Sequence, residues 1–223
     1  MTQSVLFHLL LLVRIFSLTV LLRLATYENW ILKPLNKVIF LDRDGTLNHD
    51  PGYISSINQF KFYPDTLTSL STLAKLGFKF AIVTNQSGIA RGFIKVEALE
   101  EIHQHICDQF AQSGIQLLGI YSCPHHPDDG CSCRKPETGL FDKAANQHDI
   151  DLSSAIIIGD SAADVEAGKS KEMVTCLVRT GRGAKEEIKL KDIGLEPDYV
   201  GDSLLDCTSF LCELHASTSG EDD

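Results

Sequence analysis

Asp42 and Asp44 stand two residues apart in the run Asp42-Arg43-Asp44-Gly45-Thr46. Carboxylates at that spacing suit a nucleophile and a general acid/base on one loop, both within reach of one metal ion. A carboxylate attacking phosphorus gives an aspartyl-phosphate, which water then hydrolyses while the second Asp relays protons. Gly45 permits the tight turn that brings both groups to one point. A second polar run, Thr84-Asn85-Gln86-Ser87-Gly88, offers a hydroxyl and backbone amides suited to phosphoryl oxygens, or simply a cap for the helix that follows.

A third cluster begins at Cys123 and ends at Pro136. Cys123 and His125 form one pair, Cys131 and Cys133 another, with five residues between His125 and Cys131. Four soft donors in two pairs suit a closed tetrahedral zinc site that orders a loop rather than an open catalytic position. His126 is the rival ligand to His125. Arg134 and Lys135 follow at once, so a loop held by metal would carry two cations to a fixed point, where Lys135 neutralises a phosphoryl group and Asp42. In the fourth run, Gly159-Asp160-Ser161-Ala162-Ala163-Asp164, Asp160 would complete a Mg²⁺ site with Asp42 and the backbone carbonyl of Asp44, since Mg²⁺ takes hard oxygen ligands and few protein carboxylates. Asp164 fits two roles: orienting Asp160 or Lys135, or serving as a first-turn acid favoured by the helix dipole.

These runs need a scaffold that brings them together. Short apolar stretches at 37–41, 78–83, 116–122, 155–158 and 174–178 read as strands buried on both faces, and Tyr199 and Val200 begin a sixth. Stretches 65–76, 96–113, 139–148, 162–169 and 204–214 read as helices between and after them. Alternation of this kind predicts an α/β domain, doubly wound around a mostly parallel sheet, with ligands beyond the carboxyl ends of the strands. Each of the four polar runs follows one of the first four strands. Forty-two positions separate Asp42 from Thr84, enough for a loop, a helix and a strand but not for a lid domain, so the core should be capless, with the metal-bound loop on its rim.

The bulk composition bounds the partners. The chain has 223 residues, 43% of them hydrophobic, and a formal net charge of −10, which argues against a nucleic-acid partner. An acidic protein needs a locally positive site to take a phosphate ester. The seven cysteines, one group of them clustered beside histidine, favour a metal site in a reducing compartment over a disulfide scaffold. Residues 1–35 form an apolar extension or weak anchor in which Arg14 interrupts the apolar run; membrane contact is expected only if residues 1–25 act as an anchor. Residues 36–215 are read as the functional domain and 216–223 as an acidic, disordered tail. A monomer in the cytoplasm is expected.

The order of the motifs, DRDGTLN with Asp50-Pro51-Gly52-Tyr53, then TNQSGIARG, CPHHP, CSCRKP and IIGDS, resembles the haloacid dehalogenase superfamily. Within it, the motifs are similar to the D,D-heptose 1,7-bisphosphate 7-phosphatases, over roughly residues 37–202. That resemblance implies Asp42 as nucleophile and Asp44 as proton donor, Mg²⁺ on Asp42, Asp44 and Asp160, and structural Zn²⁺ on Cys123, His125, Cys131 and Cys133. It implies substrate contacts from Asp50, Gly52 and Tyr53, from Thr84, Asn85, Gln86 and Ser87, from Arg134, Lys135 and Ser161, and from Arg91 toward a remote phosphate of a small phosphorylated sugar. The implied reaction is release of the 7-phosphate of D-glycero-D-manno-heptose 1,7-bisphosphate in nucleotide-activated heptose biosynthesis. The short loop between His125 and Cys131 is more like the histidinol-phosphate phosphatase branch, which stands as the alternative. A DNA 3′-phosphatase fits the acidic charge poorly, and a non-catalytic zinc scaffold fits the intact Asp42, Asp44, Lys135 and Asp160 poorly.

Overall fold

The structure, a computed structural model, describes residues 37–219; the apolar segment 1–35 lies outside the described residues. The unit that carries every motif above is Leu35–Glu213. Six strands form one sheet: β1 (Val38–Leu41), β2 (Lys79–Asn85), β3 (Leu117–Cys123), β4 (Ile156–Gly159), β5 (Val174–Val178) and β6 (Tyr199–Gly201). Their spatial order is β3-β2-β1-β4-β5-β6 and all five pairings are parallel. Central strands with water on neither face must be apolar along their length. Accordingly Ile39, Phe40 and Leu41 in β1, with Ile156, Ile157 and Ile158 in β4, are buried.

Six helices connect or follow the strands: α1 (Thr66–Lys75), α2 (Val96–Gln112), α3 (Gly139–His148), α4 (Ala162–Ser170), α5 (Gly183–Asp192) and α6 (Leu204–Ser219). The inward stripe of α2 is Leu99, Ile102, Ile106 and Phe110, the spacing expected of a helix packed along one side. Helix α3 buries Leu140, Phe141 and Ala144, and the Phe141 ring meets Phe40 of β1 edge-on at 5.1 Å. Between β1 and β2 stand only a short 3-10 turn and α1, so the segment holds no lid.

Two expectations are corrected. Helix α6 runs to Ser219, past the end expected at Leu214, with no glycine or proline before Gly220; residues 220–223 lie outside the described residues. Helix α5 was not anticipated, because of its residues only Gly183 and Leu190 are buried and the rest is a charged surface without an apolar period.

The chain runs outward from β1 to β3 and then crosses back to β4 on the other side of β1. At such a reversal the loops after two neighbouring strands diverge and leave a crevice at their carboxyl ends. Here those strands are β1 and β4, and the first residues beyond them are Asp42 and Asp160.

Phe141 ties the outer helix layer to the central strand. Phe141→Ala is expected to cost about 3–5 kcal/mol, read as a lower urea midpoint at unchanged denaturant slope.

Candidate active site

The crevice is built around one buried ammonium. Lys135 Nζ donates to Asp42 Oδ1 at 2.6 Å and to the carbonyl of Val83 at 2.6 Å, and it pairs with Asp164 Oδ1 at 2.6 Å. It thus has two hydrogen-bond acceptors, from the loop after β1 and from β2, and an ion-pair partner from α4. Burial alone would push this ammonium down, but the carboxylates of Asp164 and Asp42 outweigh it and hold Lys135 above its ordinary value. The loop bearing Lys135 is clamped by Asn85 at the end of β2, whose Nδ2 donates to the carbonyl of Lys135 (3.1 Å) while its Oδ1 accepts from the backbone amide of Lys135 (3.0 Å).

Asp42, Asp160 and Asp164 bring carboxylate oxygens within 4.8 Å of one another. Three acids against one buried ammonium, with only the exposed Arg182 guanidinium 4.0 Å from Asp160 to help, leave excess negative charge in a buried space. Burial pushes Asp42 up to about 7, against the pull of Lys135 and with Asp164 adding to the rise. Burial also pushes Asp160 up to about 8, reinforced by Asp42 and Asp164. Asp160 is fully buried; its Oδ2 accepts from the backbone amide of Arg182 at 2.8 Å, while its Oδ1 has no hydrogen-bond partner. An orphaned carboxylate oxygen amid surplus negative charge fits a divalent cation with hard ligands. Asp164 serves both of the roles considered for it. Its Oδ2 accepts from the amide (3.1 Å) and the hydroxyl (2.6 Å) of Ser161, closing the N-terminus of α4, while its Oδ1 holds Lys135.

Asp44 points away from that cluster. Its carboxylate accepts from Arg43 Nε (3.0 Å to Oδ1) and Nη2 (2.7 Å to Oδ2), from Asn48 Nδ2 (2.9 Å) and from Gln86 Nε2 (2.7 Å). Burial would raise its proton affinity, but the Arg43 guanidinium and these hydrogen bonds outweigh it and hold Asp44 below the usual carboxylate value. The side chain of Asp44 is therefore outside the carboxylate cluster, consistent with a metal role limited to its carbonyl. Gly45 has φ +90°, and a Cβ there would lie 2.1 Å from Asp160 Oδ2, so only glycine fits between the two acid loops.

The second cluster is a compact set of soft donors. Cys123 Sγ lies 3.6 Å from both His125 Nδ1 and Cys131 Sγ, and Cys133 Sγ lies 3.1 Å from His125 Nδ1, 3.2 Å from Cys123 Sγ and 3.5 Å from Cys131 Sγ. Sulfurs bound at about 2.3 Å to a tetrahedral metal stand about 3.8 Å apart, so these separations suit one ion at the centre. His126 turns away and accepts from the amide of Asp128.

The hydrolase-like family model (HAD-hydrolase-like) matches residues 132–207. A D-glycero-beta-D-manno-heptose-1,7-bisphosphate 7-phosphatase of Haemophilus influenzae is 39% identical over 187 residues, covering 81% of this chain and 99% of that protein. The chain belongs to the heptose-bisphosphate phosphatase family. A relative of the same name from Pasteurella multocida is 37% identical over 184 residues, covering 79% of this chain and 97% of that protein. The fold agrees: the crystal structure of D,D-heptose 1,7-bisphosphate phosphatase from B. bronchiseptica, complexed with magnesium and phosphate, superposes with a TM-score of 0.72 at 34% identity over 79% of this chain and 98% of that one.

In this phosphatase the remaining predicted residues divide by what they touch. Asn85, Gln86 and Ser161 spend their side chains on Lys135, Asp44 and Asp164, so they position other groups. Thr84 is buried and its hydroxyl accepts from Gln86. Arg134 is half-buried with Nη1 buried and unpartnered, and Arg91 is exposed on the loop after β2. Asp50 accepts from the amide of Gly52, shaping the turn that carries Tyr53.

Three contributors were missed. Arg43, fully buried, looks in sequence like the filler of a D-x-D motif. The loop after β5 closes the site through Thr180, whose hydroxyl donates to the carbonyl of Gly45 (2.7 Å), and through Arg182 on Asp160; the TGRG run there would have been found by asking of the fifth strand what was asked of the first four. His103 of α2 lies 3.4 Å from Arg43 Nη1. Burial, and then the Arg43 charge, pull His103 from 6.5 to about 4.

The folded protein therefore resists protonating His103 while the unfolded chain does not. That contribution to stability is complete above pH about 6.5 and is lost as pH falls toward 4. His103→Gln should flatten the fall in melting temperature across that window.

Proposed function

We propose that this phosphatase releases the 7-phosphate of D-glycero-D-manno-heptose 1,7-bisphosphate, and that its preferred anomer is β. The observation that carries the reading is Asp42 at the end of the central strand, its carboxylate fixed by buried Lys135 beside two further acids, in a crevice without a lid. The names borne by the relatives supply the substrate.

Asp42 attacks phosphorus and the ester oxygen leaves with a proton from Asp44. Water then attacks the aspartyl-phosphate and gives a proton to Asp44, so phosphate departs, Asp42 is again a carboxylate and Asp44 again carries the proton it gave up. Lys135 holds one oxygen of the nucleophile and offsets phosphoryl charge. Asp44, kept anionic by Arg43 in the free protein, suits the second step as base. For the first step it must carry a proton, and an arriving phosphate dianion raises its affinity for one. Asp42, Asp160 and the carbonyl of Asp44 would hold Mg²⁺, which supplies charge neutralisation for the phosphoryl oxygens. The Cys123, His125, Cys131 and Cys133 cluster is read as a structural zinc site. That reading, with no disulfide among the seven cysteines, suits a reducing cytoplasm, and the chain is read as a monomer. Among the described residues, no helix is long and apolar enough to cross a membrane.

Phosphate release by the full chain with Mg²⁺ is to be measured on both heptose bisphosphate anomers, histidinol phosphate and a 3′-phosphorylated oligonucleotide. The β-anomer should give the highest kcat/KM, and Asp42→Ala should lower it by at least about 10³-fold. Preference for histidinol phosphate would transfer the chain to the alternative branch. For the second metal, elemental analysis should find zinc in the wild type and in Asp42→Ala. Cys133→Ser should lose it along with several degrees of melting temperature.

A further inference from the structure

The loop after β1 and the loop after β2 leave neighbouring parallel strands, with Leu41 in register with Ile82. They touch at two levels. At the base Gln86 Nε2 donates to Asp44 at 2.7 Å. Further along, the ring of Tyr53 meets the ring of Phe93 at 4.8 Å between centroids. Both loops rise from the carboxyl edge of the sheet, on the β2 side of the crevice between β1 and β4.

The upper contact is unusual in its exposure. Phe93 is 58% and Tyr53 44% exposed, although they form an aromatic pair. Neither exposure is needed to hold the loop. Ile94, 4% exposed, is its anchor, and the amides of Phe93 and Ile94 both donate to the carbonyl of Gly88 (2.8 and 3.0 Å). Gly88 makes the arrangement possible: a Cβ there would lie 2.6 Å from Ile94 Cδ1 and 2.9 Å from Tyr53 Cδ1, so the Tyr53 ring rests directly on its backbone. Paired aromatics left facing water beside a polar site mark a surface meant for a ligand with an apolar side.

We propose that Tyr53 and Phe93 form an apolar platform that takes the carbon–hydrogen face of the substrate's sugar, with Phe93 as a specificity-determining residue. This deepens the heptose-bisphosphate reading and rests on it. One phosphate is held by the charges around Lys135, a remote phosphate lies toward Arg91 two residues before Phe93, and the sugar between them meets the rings. A ring substrate gains from the platform; a phosphate without a sugar does not.

The test compares wild type, Phe93→Ala and Phe93→Trp as full-length chains with Mg²⁺, on heptose 1,7-bisphosphate and on acetyl phosphate. In Phe93→Ala the ratio of kcat/KM for the sugar to that for acetyl phosphate should fall about tenfold, the loss lying in KM, and Phe93→Trp should restore it. An unchanged ratio overturns the proposal. So does an equal loss on both substrates, which would assign Phe93 to holding the loop in shape. Wild-type protein that cleaves acetyl phosphate but not the heptose bisphosphate would overturn the substrate reading itself, and the platform with it.

Discussion

The buried ammonium of Lys135 is the constraint on which the rest of the site depends. A buried charge is tolerated only where its hydrogen-bonding capacity is met and opposite charge is close. Lys135 meets both conditions with a carboxylate from the loop after β1, a carbonyl from β2 and a carboxylate from α4. These elements lie far apart in sequence and on both sides of the sheet's reversal point. Satisfying one side chain therefore fixes their relative positions, and with them the direction in which Asp42 presents its carboxylate. The cost is surplus negative charge. Asp160, pushed up by burial and by its acidic neighbours, has one oxygen without a partner. The protein alone does not balance this cluster, and the imbalance is what a divalent cation would relieve.

Placing that lysine requires a loop that holds still. The chain from Cys123 to Lys135 contains only a three-residue 3-10 turn, and a segment so poor in regular structure loses much conformational entropy on ordering. The soft donors of Cys123, His125, Cys131 and Cys133 converge within it, and Lys135 follows two residues after the last of them. Asn85 then fastens both backbone groups of Lys135 to the end of β2. The metal-type cluster and the Asn85 clamp thus do one job from two sides, so a loop residue reaches a depth usually left to strand ends.

The legible parts of this molecule were those with a local signature. Apolar strands followed by polar runs marked the sheet, its carboxyl edge and the groups gathered there, because each signal lies within a few consecutive residues. The missed parts depend on partners distant in sequence. Nothing near Arg43 indicates that its guanidinium folds back on Asp44 while His103, sixty residues later, caps its far side. Asn85, Gln86 and Ser161 have types that suit phosphate, and nothing in the sequence announces the internal partners their side chains also have. Helix α5 lacks an apolar period, so burial could not announce it, and α6 outran its expected end because polarity was taken for disorder where no breaker stood.

The same geometry separates charge from shape. At the floor, Lys135 and the acids recognise only a phosphoryl group, and any phosphate ester would satisfy them equally. With no lid between β1 and β2, discrimination must come from the rim, where the loops after β1 and β2 stand against each other. With a net charge of −10 the chain repels anions at long range, so a phosphate needs a cation close by, and Lys135 is the one buried at the floor. The proposed platform of Tyr53 and Phe93 would then respond to the part of the ligand beyond its phosphate. Such a site can keep its chemistry fixed and change its substrate through two short loops.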